Sequence, residues 1–106
     1  MKKPQPIASR FDMLVCYDVN TTEKEGVKRL RRVSKVCVGY GQRVQYSVFE
    51  CTLTEALLER FQSKLLDIID HEKDSLRFYR LTGGRENVVK VYGRDGFVDY
   101  SQPLIY

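Results

Sequence analysis

The chain has 106 residues, of which 42% are hydrophobic and 30% charged, with a formal net charge of +4. That length suits one soluble globular domain around one modest core, and no apolar run approaches the length of a membrane span. Three cysteines, Cys16, Cys37 and Cys51, are odd in number and widely spaced, which fits neither a zinc pattern nor a closed disulfide framework.

Residues 1–12 read as a loose lead-in with Lys2, Lys3, Pro4 and Pro6. They lack an apolar signal-peptide core, so a cytoplasmic protein with buried free thiols is expected. Met13-Leu14-Val15-Cys16-Tyr17 is then wholly apolar and reads as a strand buried on both faces. Asp18 comes next, before the polar turn Asn20-Thr21-Thr22. Carboxylates are rarely buried unless paired or bound to metal. Asp18 is therefore either a cap for the turn and helix after it or a site residue. Thr22 with Glu25 fits a capping box and weakens the first reading.

A helix is predicted from Glu23 to Val38, with Val27, Leu30, Val33, Ser34 and Cys37 as its inner stripe. Lys24, Lys28, Arg31, Arg32 and Lys35 share a different face. Residues 24–43 hold seven cations, counting Arg29 and Arg43, against Glu25 alone, a net +6 that exceeds the charge of the whole chain. Solvation is the usual fate of helix charges. Like charges at i, i+4 repel, however, and a concentrated basic segment is the footprint of a polyanion partner.

Gly39-Tyr40-Gly41 should end the helix. Gln42 to Cys51 reads as extended chain, either one long strand or two strands turning near Tyr46-Ser47. Thr52 with Glu55 suggests a second capping box and a helix to about Asp70, with Leu57, Leu58, Phe61, Leu65, Ile68 and Ile69 facing inward. His71, the only histidine, falls where a helix C-terminus favours a cation. Further strands are expected at Ser75–Leu81 and Val88–Tyr92, and the tail ends in the apolar Pro103-Leu104-Ile105-Tyr106.

The order β-α-β(β)-α-β-β predicts an α+β, ferredoxin-like domain with an extra C-terminal strand. Both helices would cover one sheet face. Strand one is apolar on both faces, so the other needs a partner, and a homodimer is expected. No Gly-rich phosphate loop is present. One Asp18 cannot satisfy Mg²⁺, which prefers octahedral oxygens. Two copies facing across a two-fold axis, with water and substrate phosphate, could.

Three segments resemble the Cas-two proteins of CRISPR spacer acquisition: the strand ending Tyr17-Asp18-Val19, the run Arg43-Val44-Gln45-Tyr46-Ser47-Val48-Phe49-Glu50-Cys51, and the strand Ser75–Leu81. The match covers residues 13–94, leaving the lead-in and a tail at 95–106 outside it. Its detail is most similar to the subtype I-C branch. The resemblance implies a ferredoxin-like homodimer in which Val88–Tyr92 adds to the partner's sheet. It makes Asp18 the catalytic carboxylate and the ligand for Mg²⁺ or Mn²⁺ at the dimer axis, with Ser47 and Phe49 as neighbours across the interface. It implies endonuclease activity on RNA or double-stranded DNA, and the bridging of Cas-one integrase dimers while a pre-spacer duplex is held. In some members that bridging does not need the Asp. Lys28, Arg31, Arg32, Lys35 and Arg43 are the candidate nucleic-acid contacts. Three readings compete: a metal-dependent phosphodiesterase, a DNA-holding scaffold, and a small regulatory domain with a charged surface. The motifs and the basic segment disfavour the third.

Overall fold

The computed structural model describes residues 9–95, so the end of the tail and residues 1–8 lie outside the described residues. In chain order the elements are β1 (Phe11–Asp18), α1 (Lys24–Tyr40), β2 (Gln42–Gln45), β3 (Val48–Leu53), α2 (Glu55–Ile68), β4 (Ser75–Arg80) and a single turn, α3 (Arg85–Val88). β1 begins at Phe11, inside the expected lead-in. The strands form one antiparallel sheet in the order β2-β3-β1-β4. This is the ferredoxin-like order. The Tyr46-Ser47 turn divides the long extended run into β2 and β3.

β1 is central because its apolar residues can be paired on both edges. Phe11↔Leu53 to Cys16↔Val48 join it to β3, and Met13↔Arg80 to Asp18↔Ser75 join it to β4. The two-residue period turns Met13, Val15 and Tyr17 toward the helices, where all three are buried. α1 and α2 pack on that same face, and Val33, Cys37, Phe61 and Leu65 join Phe49 in one core. Tyr40 stacks on Phe61 at 4.6 Å, and Phe61 meets Phe78 edge-on at 5.6 Å, tying both helices to β4. Leu14 and Cys16 face the other side and are only half-buried. In a single chain β1 is thus closed on one face and partly open on the other.

Several local expectations are corrected. α1 passes through Gly39 and ends at Tyr40, with Gly41 as its C-cap. Gly41 is the glycine the geometry requires. A Cβ there would lie 2.3 Å from Cys51 Sγ and 2.7 Å from the Glu50 carbonyl oxygen. Val27 is exposed and Gly26 takes the buried position.

Neither predicted capping box forms. Glu23 is the N-cap of α1 without a side-chain bond, and the Thr22 hydroxyl donates to Asn20 Oδ1 at 2.7 Å. β3 continues to Leu53, so Thr52 stays in the strand and donates to Asp12 Oδ1 at 2.9 Å. Thr54 caps α2, accepting from the Leu57 N–H at 3.2 Å.

The C-terminal strand expected over Val88–Tyr92 is not formed in the single chain. Val88 closes α3, and 89–92 pair with no strand among the described residues. A ladder needs a neighbouring edge. Arg85 instead anchors this segment over the open sheet face, through its N–H to Asp12 Oδ2 at 3.0 Å and its guanidinium to Glu50. A cavity of about 270 Å³ lies between Leu14 and Val48 on the sheet and Val89 and Val91 above it.

Candidate functional site

Asp18 closes β1 on the open side of the sheet, by the same alternation that buries Tyr17. Its side chain is exposed, and among the described residues no hydrogen bond or ion pair reaches its carboxylate. It therefore caps nothing among the described residues, and the helix-cap reading is excluded. Among the described residues no group of three or more His, Cys, Asp or Glu side chains could hold a metal ion. Asp18 supplies the hard oxygen that Mg²⁺ or Mn²⁺ prefers, but one chain supplies too few such oxygens.

The loop after Asp18 is gripped by a buried ion pair that sequence reasoning missed. The Asp74 side chain is fully buried. It accepts from Arg29 Nε at 2.8 Å, from the Asn20 N–H at 3.0 Å and from the Asp70 N–H at 2.8 Å. Arg29 also donates to the Asn20 carbonyl at 3.4 Å, so both polar groups of that peptide position are held. The Arg29 guanidinium holds the Asp74 carboxyl down to about 2, against the opposing cost of burial. Gly26 completes the clamp, because a Cβ there would lie 1.8 Å from the Asn20 carbonyl oxygen. One signal for Arg29 was available. It sits four residues before the buried Val33, in phase with the core, where a cation must find a partner.

Within one chain, Ser47 and Phe49 are linked to Asp18 through Tyr17. The Ser47 carbonyl accepts from the Tyr17 N–H at 3.1 Å. Phe49 is completely buried on the helix side, 6.1 Å from the Tyr17 ring, and belongs to the core of its own chain.

The cysteines are structural. Burial pushes the Cys37 and Cys51 thiols up to about 12 and raises Cys16, leaving all three protonated and poorly nucleophilic at neutral pH. His71 lies beyond α2 with Nε2 3.3 Å from the Leu66 carbonyl, at the helix end where it was expected.

The basic face of α1 is real but smaller than the sequence count. Arg29 turns inward to Asp74, and Lys28 lies 3.7 Å from Glu25, an exposed pair of little strength. Arg31, Arg32 and Lys35 are exposed, and no acid pairs with them among the described residues. Arg43 extends this face from β2, donating to Ser34 and lying 5.2 Å over the Phe49 ring. A cleft of about 420 Å³ runs between α1 and the β2–β3 turn, lined by Arg31, Lys35 and Arg43.

Comparison with known proteins agrees with this geometry. The family model described as CRISPR associated protein Cas2 matches residues 12–88. A Moorella thermoacetica protein named CRISPR-associated endoribonuclease Cas2 1 is 45% identical, covering 88% of this chain and 97% of its own. A Halalkalibacterium halodurans protein named CRISPR-associated endonuclease Cas2 is 46% identical, covering 89% and 98%. The crystal structure of Streptococcus pyogenes Cas2 at pH 6.5 superposes with a TM-score of 0.69 at 50% identity, covering 77% of this chain and 99% of that one. A sheet in the ferredoxin-like order, a carboxylate ending its central strand and the family match over most of the domain together show that the chain belongs to the Cas2 family of CRISPR-associated proteins.

Proposed function

We propose that the protein is a dimeric, Mg²⁺- or Mn²⁺-dependent endonuclease that hydrolyses phosphodiester bonds in RNA or double-stranded DNA. Its site is completed by Asp18 from each of two protomers. The observation that carries this reading is the unpartnered carboxylate at the end of the central strand, its following loop locked by Asp74 and Arg29. The endonuclease names of its relatives support it.

A divalent cation between the two Asp18 side chains would supply positive charge at the scissile phosphate and a more acidic bound water. The chain's own part is to place the carboxylates. The β1–β4 register sets Asp18 beside Ser75, and the Asn20 clamp keeps the strand end from fraying. The half-buried Leu14 and Cys16 offer an apolar surface for the second copy.

The test joins sedimentation to a cleavage assay on RNA and duplex DNA. A dimer is expected at micromolar protein, with cleavage lost on chelation and restored by Mg²⁺ or Mn²⁺. A stable folded monomer, or cleavage indifferent to chelator, would overturn the reading.

A second reading rests on a different observation. The basic face is complete in one chain, whereas the metal site is not. We infer that α1 holds duplex DNA by its phosphates, as a scaffold bridging Cas-one integrase dimers requires, whether or not Asp18 cleaves. Each phosphate contact releases condensed counterions, so log affinity should fall with log salt by about 0.9 per contact on duplex DNA. Arg31→Ala with Arg32→Ala should weaken binding to every duplex sequence and flatten that slope by about one unit per lost contact. Unchanged affinity and slope in a protein still dimeric would return the charges to a solvated face.

A further inference from the structure

Tyr46 is the most exposed of the large hydrophobic side chains described, 94% accessible at the tip of the β2–β3 hairpin. Local chemistry does not ask for it there. A two-residue hairpin turn favours Asn, Asp or Gly, and an aromatic ring in full solvent contributes no packing. The backbone beneath it is nonetheless fixed. Tyr17 donates its hydroxyl to the Tyr46 carbonyl at 3.4 Å and its N–H to the Ser47 carbonyl at 3.1 Å. The ring is therefore presented on a rigid tip, which lowers the ordering cost of any contact it makes.

Its surroundings are cationic. Tyr46 borders the cleft lined by Arg31, Lys35 and Arg43 on one side. On the other it borders an open, largely apolar depression formed by Arg43 to Val48. Arg43 itself is braced by Ser34 and by the Phe49 ring. A flat aromatic beside a cluster of cations is the arrangement that receives an unstacked base with its flanking phosphate, because every base has a π-face and every linkage a negative charge. A blunt duplex offers the phosphates but keeps its bases stacked inside.

We propose that Tyr46 is a stacking platform for an unpaired base of single-stranded nucleic acid, with the adjoining phosphates on Arg31, Lys35 and Arg43. This deepens the nucleic-acid reading of the basic face and rests on it.

Binding of a short DNA single strand and of the blunt duplex of the same sequence separates the two ideas. Tyr46→Ala should weaken single-strand binding about tenfold, equivalent to about 1.4 kcal/mol, and leave duplex binding unchanged. Tyr46→Phe should retain the single-strand affinity. The chain has no tryptophan, so Tyr46→Trp gives a single tryptophan that can be excited apart from the tyrosines, expected to be quenched by the single strand and not by the duplex.

Stacking is overturned if wild type binds no single strand, if Tyr46→Ala binds it as wild type does, if Tyr46→Ala loses both ligands equally, or if its sedimentation changes. If Arg31→Ala with Arg32→Ala leaves duplex binding untouched, the basic-face reading fails. If that variant weakens duplex binding while Tyr46→Ala changes nothing, only the stacking proposal fails.

Discussion

Asp18→Asn is expected to lower divalent-dependent cleavage by more than about a hundredfold. Outer-shell partners of a bound metal are themselves worth about 10–100-fold, and a direct ligand should exceed them. In a symmetric dimer the loss is taken twice. Asn keeps the side-chain shape and removes the charge that attracts the cation. Because Asp18 is exposed and unbonded among the described residues, the change should cost little stability. Duplex binding should also persist, since the cations on α1 and Arg43 are untouched. The measurement is cleavage across a Mg²⁺ titration, wild type and variant purified side by side. An Asp18→Asn protein that cleaves as fast as wild type removes Asp18 from the metal site. Silence in both proteins favours the scaffold.

The largest effect on stability is expected at Asp74. Its replacement by Ala strands the Arg29 guanidinium, whose side chain is only 15% exposed, and frees the Asn20 and Asp70 N–H groups. Breaking one side of a buried pair costs about 3 kcal/mol. In a domain of this size that is about 15 °C in the melting temperature, measured at fixed protein concentration because the proposed dimerisation would also contribute.

The sign of the pH dependence is set by the depressed Asp74 carboxyl. It lies at about 2 in the folded chain against an ordinary 3.8. Between those values the unfolded chain binds the extra proton. The contribution of Asp74 is therefore fully present above pH about 4 and is lost as pH falls toward about 2. Denaturant midpoints measured through that window should drop for wild type and drop less for Asp74→Asn. Equal midpoints and parallel acid limbs would show that the pair contributes nothing. Because the same pair holds Asn20, Asp74→Asn should also weaken divalent-cation affinity more than it weakens duplex binding.

Much of the architecture was present in the linear pattern. Two amphipathic helices and the alternating strands led to a ferredoxin-like sheet, because burial periodicity is a local property that each segment carries by itself. Phe61, Leu65, Val33 and Val15 occupy the core as their spacing demanded. Asp18 stood out because a carboxylate ending an apolar strand conflicts with its neighbours, and the basic face of α1 because charge clustering is visible in one dimension.

Tertiary contact decided the rest. Thr54 rather than Thr52 caps α2 because pairing with β1 extends β3 to Leu53, and a strand residue cannot also cap a helix. Val88–Tyr92 has strand-like composition but pairs with no strand among the described residues, since a ladder needs a neighbouring edge. Arg29 counted as one more surface cation until Asp74, 45 residues away, drew it inward. Its fate depended on where the turn before β4 comes to lie. Whether a charge is solvated, paired or free for a ligand is set by neighbours distant in sequence, and only the folded chain brings those neighbours together.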